Sequence, residues 1–458
     1  MKKVGIFLLG VVPVLVLLSF SAMNPPKVEA VPSYARQTGL ACSGCHYTPP
    51  ELNPAGRRFK LLGYVDRADE TKTVKADGGK KRAALDLLAS LPLSVMLDTS
   101  FTNTKSPIPT TQNGSFEMPQ DISLFLSGAW TSHIGSFLQV TYDTQADHFS
   151  MDNTDIRFAN TTKIGGKELV YGIDLNNNPT VEDLWNSTPA WSYPWIASDW
   201  APTPNASPLI NGGLAQDVGG IGVYGMWNNH LYLDAALYRS GHVGAAQPFN
   251  GAGATNIRGL APYWRLAWQQ LTGKTQYEFG TYGMHMRSTP GAITQPDGTP
   301  FPVQDSFTDW AVDTQIDRTM FRTDVLSFRA TFIHENNDLL ATLFAEGAAQ
   351  GSHHLNTVLA NAEYHIGNKY TGTLGWFNTT GTSDPGLYPS GAVTGNFNGD
   401  PRGSGYIANL TYWPWQNLML GAQYTGYTRF NGAANNYDGA GRNANSNNTI
   451  YLDAKIIF

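Results

Sequence analysis

The sequence predicts an all-β protein, an about 16-stranded antiparallel outer-membrane β-barrel with a small N-terminal plug segment. Three observations predict it. Apolar and polar residues alternate in many short runs from about Leu91 onward, the period-two signature of strands with two unlike faces. The connections between these runs alternate between short and long, as periplasmic turns and extracellular loops do. The last run ends in Phe458, which looks like the terminal recognition signal of outer-membrane barrels.

The chain opens with Lys2 and Lys3, followed by an apolar run from Val4 to Phe20, the small residues Ser21 and Ala22, and a Val28-Glu29-Ala30 stretch. A basic start, an apolar centre and a small-residue site describe a secretory signal peptide, cleaved after Ala30 or Ala22. A membrane anchor needs about 20 apolar residues, and this run is shorter. Residues 1–30 are therefore left out of the fold. Their removal takes away Lys2, Lys3, Lys27 and Glu29, so the formal charge moves from -6 to about -8. No basic stretch of the mature chain points to nucleic acid.

The next segment, 31–64, carries the only two cysteines, in Cys42-Ser43-Gly44-Cys45-His46. One short C-x-x-C cannot staple a chain of this length, so a chemical role is favoured over a structural disulfide. C-x-x-C-H is the attachment motif for c-type haem. Its spacing lets two thiols form thioethers while the neighbouring imidazole reaches the iron. A structural zinc site wants a second ligand pair, which is absent, and a thioredoxin-like site wants a βαβ surround, which the flanks do not offer. The expected cofactor is one covalent haem c bound through Cys42, Cys45 and His46, with His46 as the metal ligand. No Met or second His occurs between His46 and about position 90. A second strong ligand must then come from farther along the chain or be an unusual group, or the position stays open. Met96, His133 and His148 are conceivable, and none is singled out.

Residues 65–90, rich in Lys, Asp, Glu and Gly, read as a linker, and 91–458 as the barrel. Strands are predicted at 91–101, 121–131, 134–143, 153–160, 167–175, 218–227, 230–239, 261–271, 274–285, 307–317, 322–334, 356–366, 369–378, 404–413, 417–428 and 448–458. Within them Leu124 and Leu126 oppose Ser123 and Ser127, Leu233 and Leu237 oppose Tyr232 and Asp234, and Phe328 opposes Arg329. Short connections fall at 132–133, 164–166, 228–229, 272–273, 317–318, 367–368 and 414–415. Long ones fall at 102–120, 176–217, 240–260, 286–306, 335–355, 379–403 and 429–447. A soluble sandwich has no reason to alternate this way. The mean hydropathy of -0.26 and the 12 Trp and 21 Tyr suit strands with one lipid face and aromatic girdles.

Several local patterns carry a plainer reading. Gly220-Ile221-Gly222-Val223-Tyr224-Gly225 matches a dinucleotide fingerprint but lacks the helix that motif requires. His353 and His354 are adjacent loop residues, more often exposed than metal-binding. Trp185, Trp191, Trp195 and Trp200 share a long loop and are expected to pack it against itself.

Around the haem motif stand Tyr34-Ala35-Arg36-Gln37-Thr38-Gly39 before it, and Pro50, Leu52, Asn53, Pro54, Gly56, Arg57, Phe59, Lys60, Gly63 and Tyr64 after it. This segment resembles that of the fused monohaem cytochrome–porins in the outer membrane of iron-oxidising bacteria. The likeness is specific over about residues 34–64 and architectural over the barrel. It implies oxidation of extracellular Fe(II), with the electron passing through one haem to a periplasmic cytochrome or similar carrier. Arg36, Arg57, Arg58 and Lys60 could pair with haem propionates or be solvated charges. Acidic, Asn-rich loops could concentrate cations by electrostatic focusing. Two rival readings stay open: a haem conduit with another donor or the opposite direction, and a diffusion porin gated by its haem segment. A soluble periplasmic cytochrome with a β-domain is disfavoured by the barrel pattern.

Overall fold

Alternation along a strand separates its side chains onto two faces, and here the polar face is the buried one. The computed structural model describes residues 33–65, 92–109, 113–145, 147–185, 198–241, 256–289, 302–321 and 323–458. The expected signal peptide and nearly all of the expected linker lie outside these residues.

Sixteen long strands form one antiparallel sheet in chain order. They are β1 (Leu93–Thr104), β2 (Ser115–Leu126), β3 (Ile134–Asp143), β4 (His148–Ile164), β5 (Lys167–Asn176), β6 (Val218–Trp227), β7 (Leu231–Ser240) and β8 (Ala261–Thr272). The second half holds β9 (Thr275–Thr289), β10 (Asp305–Thr319), β11 (Val325–Leu339), β12 (Ser352–Ile366), β13 (Tyr370–Gly381), β14 (Gly403–Trp415), β15 (Leu418–Arg429) and β16 (Thr449–Ile457). Two two-residue pieces, Gly128–Ala129 and Asn256–Ile257, extend the pairing beside β3 and β9. The sheet closes because β1 pairs with both β2 and β16, Met96 standing opposite Ser123 on one side and Ile457 on the other. Closure removes the open edge that a flat sheet would present.

Every predicted run is a strand, and the faces are those the alternation separates. Leu233 and Leu237 are 53% and 44% exposed, whereas Tyr232 and Asp234 are 0% and 4%. Leu326 and Phe328 face out while Ser327 and Arg329 are buried. On the final strand Ile450, Leu452 and Ile456 face out, and Tyr451 and Asp453 face in. A chain in water does the reverse. A continuous apolar exterior around a polar interior is the arrangement that a bilayer stabilises, since backbone groups are paired within the sheet. Among the described residues no helix is long and apolar enough to cross a membrane; the strands do the spanning. Exposed Trp264, Trp310, Trp376 and Tyr406 lie toward the long-loop end, and Trp227, Tyr370 and Phe458 toward the short-turn end.

The connections depart from strict alternation once. Between β3 and β4, at the long-loop end, the chain turns back over residues 144–147 only, because β4 starts at His148 and its pairing on β3 runs to Asp143 opposite His148. The turn at Asn228-Asn229 uses positive φ at both residues. That is the backbone twist that matches two flanking strands.

In the loop between β5 and β6, Trp185 packs on the inner wall. Trp185 is 1% exposed, sits edge-on to Tyr232 at 5.6 Å, and donates from Nε1 to Gln269 Oε1 at 3.2 Å, so it is anchored on the inner wall. Trp191 and Trp195 lie outside the described residues. Farther on, Leu209 N and Ile210 N donate to the lumen carboxylates Glu335 and Asp309 at 2.6 and 2.7 Å. Earlier in the loop, Ser198 Oγ bonds Thr102 Oγ1 on β1 at 2.5 Å, and Pro202 O accepts from Tyr427 Oη on β15 at 3.3 Å. This loop therefore folds inward and follows the inner wall.

Candidate haem-attachment site

Residues 33–65 lie inside the short-turn end of the barrel as helix α1 (Ser33–Thr38), a 3-10 turn (Cys42–Gly44) and helix α2 (Pro54–Leu61). The 3-10 turn follows from three backbone bonds. Gly44 N donates to Ala41 O at 2.8 Å, while Cys45 N and His46 N both donate to Cys42 O at 3.1 and 2.9 Å. The turn gathers Cys42, Cys45 and His46 along one side of a cavity of about 630 Å³. Ligand sites run from a few hundred to about a thousand cubic ångströms, so the space is of the right order for a bound group.

Helix α2 is fixed to that turn by its own start signal. Asn53 Oδ1 accepts from Ala55 N and Gly56 N at 2.9 and 3.0 Å, an N-cap, with Pro54 at the first helical position. Asn53 Nδ2 donates back to Ser43 O and Gly44 O at 3.2 and 3.1 Å. Gly56 lets the helix lie on the haem motif itself, since a Cβ there would stand 2.1 Å from Cys45 O. Tyr34, Phe59 and Tyr64 form one aromatic cluster, with the Phe59 and Tyr64 centroids 5.1 and 5.6 Å from that of Tyr34.

His46 is held in one tautomer. Its Nδ1 lies 3.2 Å from both Pro50 O and Glu51 O, two acceptors, so Nδ1 carries the proton and donates. Nε2 has no hydrogen-bond partner among the described residues, and the ring lines the cavity. Orienting one imidazole nitrogen with a carbonyl is how proteins present the other to a metal. Burial pushes the imidazole down to about 4, although the carbonyls of Glu51 and Pro50 act in the opposite sense. It is therefore neutral near pH 7, the ligating form. Cys42 and Cys45 are half-buried thiols with no disulfide between them, and Cys42 Sγ donates to Gln416 O at 3.4 Å. Burial raises the Cys42 thiol, with its own backbone and Cys45 as smaller influences.

These residues fit a covalent haem. Two thiols and one uncommitted imidazole nitrogen share a cavity whose walls include Leu40, Leu52, Phe59, Phe125 and Phe137. A zinc site fits poorly, because among the described residues no further Cys or His lines that cavity.

The four basic residues near the motif all have partners within the chain. Arg57 bonds Asp317 Oδ2 at 3.2 and 3.3 Å and Gln276 Oε1 at 2.8 Å. Arg58 pairs with Glu168 at 2.9 Å, Lys60 donates to Val181 O and Asp183 O at 2.6 and 2.9 Å, and Arg36 donates to Leu93 O. They tie the plug to the wall. Glu51 is a further tie with no local signal in the sequence: it is 0% exposed, paired with Arg329 and 3.5 Å from His365 Nε2. Burial raises its carboxyl, against the pull of Arg329.

Of the conceivable second ligands, Met96 lines the cavity. His133 does not; its ring lies 6.1 Å from that of Phe158. His148 starts β4 at the opposite end of the barrel. His353 and His354 are not a metal pair: His353 Nε2 contacts Asp384 at 2.7 Å, and His354 Nδ1 contacts Thr382 Oγ1 at 2.8 Å. The glycine run 220–225 is part of β6.

No protein-family model and no curated protein sequence matches this chain. Solved outer-membrane proteins do align with it. In-vitro folded OmpT of Vibrio cholerae covers 82% of this chain and 99% of its own at 11% identity and a TM-score of 0.42. The outer membrane channel DcaP of Acinetobacter baumannii covers 80% and 96%, at 11% and 0.43. The anion-selective porin from Comamonas acidovorans covers 80% and 98%, at 10% and 0.43. Likeness of that degree adds no argument; the barrel rests on its own strand pairing and inverted faces.

Proposed function

We propose that this chain is an outer-membrane electron-transfer barrel that holds one c-type haem on Cys42, Cys45 and His46 and oxidises extracellular Fe(II). The observation that carries the reading is His46: Nδ1 bound to two carbonyls, Nε2 uncommitted, and both thiols on the same cavity. The haem would supply a one-electron carrier there. Cys42 and Cys45 would hold it covalently, His46 would ligate its iron, and the apolar walls would limit water, which helps set a haem's potential.

A cationic donor suits the long-loop end, where Asp121, Asp143 and Asp199 bring carboxylate oxygens within 4.8 Å of one another. A cluster of one sign concentrates counter-ions. Fe(II) entering from the long-loop side gives up one electron and becomes Fe(III). The short-turn side, where the motif lies, is the periplasmic side of such barrels, within reach of a cytochrome or similar acceptor. Outer-membrane lipid would surround the apolar belt.

The test uses the full-length protein in detergent. With the haem oxidised, anaerobic Fe(II) is added and the haem absorption bands are followed. Reduction in step with Fe(III) formation is expected; no reduction at any pH between 3 and 8, a range set to span acidic and neutral habitats, sinks the reading. Large steady ion conductance in planar bilayers without iron oxidation would favour a diffusion porin. That rival has the plug against it, since residues 33–65 occupy the short-turn end of the lumen and the loop carrying Leu209 and Ile210 narrows the rest.

A further inference from the structure

Among its described residues the plug offers no second axial ligand, but the barrel wall does. We propose that Met96, on the inner face of β1, supplies the axial ligand opposite His46; this deepens the haem reading above and rests on it. The other donors at the cavity are engaged. Tyr34 Oη donates to Ser136 O at 2.6 Å and Tyr64 Oη to Asp155 at 2.5 Å. Lys60 is bonded to two carbonyls, and Lys455 pairs with Asp98 at 3.1 Å. Among the described residues two thioethers are left on the lining, those of Met96 and Met419.

Position around the barrel separates them. The His46 loop leans on β12, where the Tyr47 ring stacks on His365 at 5.4 Å. Met419 belongs to β15, three strands on, and β15 is joined to β14 by the turn carrying Gln416, the acceptor for Cys42. Met419 thus lies on the Cys42 side of the cavity. It is 5% exposed and packed against Tyr451 with Trp413. Met96 stands on β1, five strands from β12, and is only half-buried, its side chain turned to the cavity. A thioether is a soft, flexible donor suited to haem iron, and Met/His ligation raises the potential relative to weaker ligation.

The experiment uses the full-length protein with its haem attached. A pyridine haemochromogen measurement on denatured protein first scores covalent attachment. Wild-type ferric protein is expected to be low-spin and to show the weak red charge-transfer band of a methionine–iron bond. Met96→Leu should abolish that band, turn the iron high-spin and lower the reduction potential. Met96→His should restore a low-spin iron with the electron-paramagnetic signature of two imidazoles, and Met419→Leu should match wild type. A wild-type protein without the band, a Met96→Leu variant that keeps it, or loss in Met419→Leu alone overturns the assignment. In each of these cases covalent haem leaves the proposed function standing, whereas absence of covalent haem in wild type sinks both.

Discussion

Replacing Arg57 by methionine isolates what holds the plug in the barrel. The Arg57 guanidinium is 5% exposed and its partner Asp317 3%, and it also reaches Gln276 on β9 and its own Leu52 carbonyl at 2.8 Å each. Removing one member of a buried ion pair costs about 3–5 kcal/mol, since the other charge stays buried. Asp317 retains two hydrogen bonds from Gln315 Nε2, at 3.1 and 3.0 Å. That places the loss at the lower end, about 3 kcal/mol. At about 1.4 kcal/mol per decade, the population with α2 released from the wall rises by roughly two orders of magnitude. Hydrogen–deuterium exchange by mass spectrometry over residues 54–64 reads that population directly. The expected result is faster exchange there in Arg57→Met, unchanged exchange in the strands, and partial recovery in Arg57→Met/Asp317→Leu, which removes the stranded charge. Exchange in α2 equal to wild type, or a double variant worse than the single one, refutes the reasoning.

Three further outcomes follow from the same geometry. Gly56→Ala would gain about 0.5–1 kcal/mol in an ordinary helix; here its Cβ meets Cys45 O, so covalent haem content per barrel should fall, scored by haem staining against total protein. Leu374, 69% exposed on β13 between the outward Tyr370 and Trp376, faces lipid. Leu374→Arg should cost about 2–3 kcal/mol in urea titration of liposome-folded protein. In the long loop after β13, burial alone would raise the Asp384 carboxyl, but donors from Ala349, His353, Leu387 and Gly386 outweigh it and hold it well below the usual range. A depressed carboxyl adds stability that is present above its unfolded value, about 3.9, and is lost only as pH falls through the folded value. Protection of the Ala349 and Leu387 amides should therefore persist at about pH 4, and Asp384→Asn should lose it at neutral pH.

Strand existence was legible because a two-faced strand must write its faces into alternate residues, whichever face meets lipid. Leu233 against Asp234 is as clear in the sequence as in the barrel. Strand ends were less so: β4 continues back to His148 through residues whose alternation a register shift between Leu138 and Val140 interrupts. The C-x-x-C-H motif was legible because its spacing is local. The pairings of Arg57 and Glu51 were not, since their partners lie on distant strands; Arg57 and Asp317 are 260 residues apart. Asn53-Pro54 was the available local signal, a cap followed by a helix-starting proline, and it marks the helix that braces the motif.

The ties between plug and wall also impose an order in time. Cys42 rests on Gln416, 374 residues downstream, and Glu51 on Arg329, while the ring itself shuts through β1 and β16. Contacts of such long sequence separation form late. The segment with both thiols is thus made first and enclosed last. Any covalent chemistry on those thiols would have its widest opening in that interval, before the plug is tied to the wall.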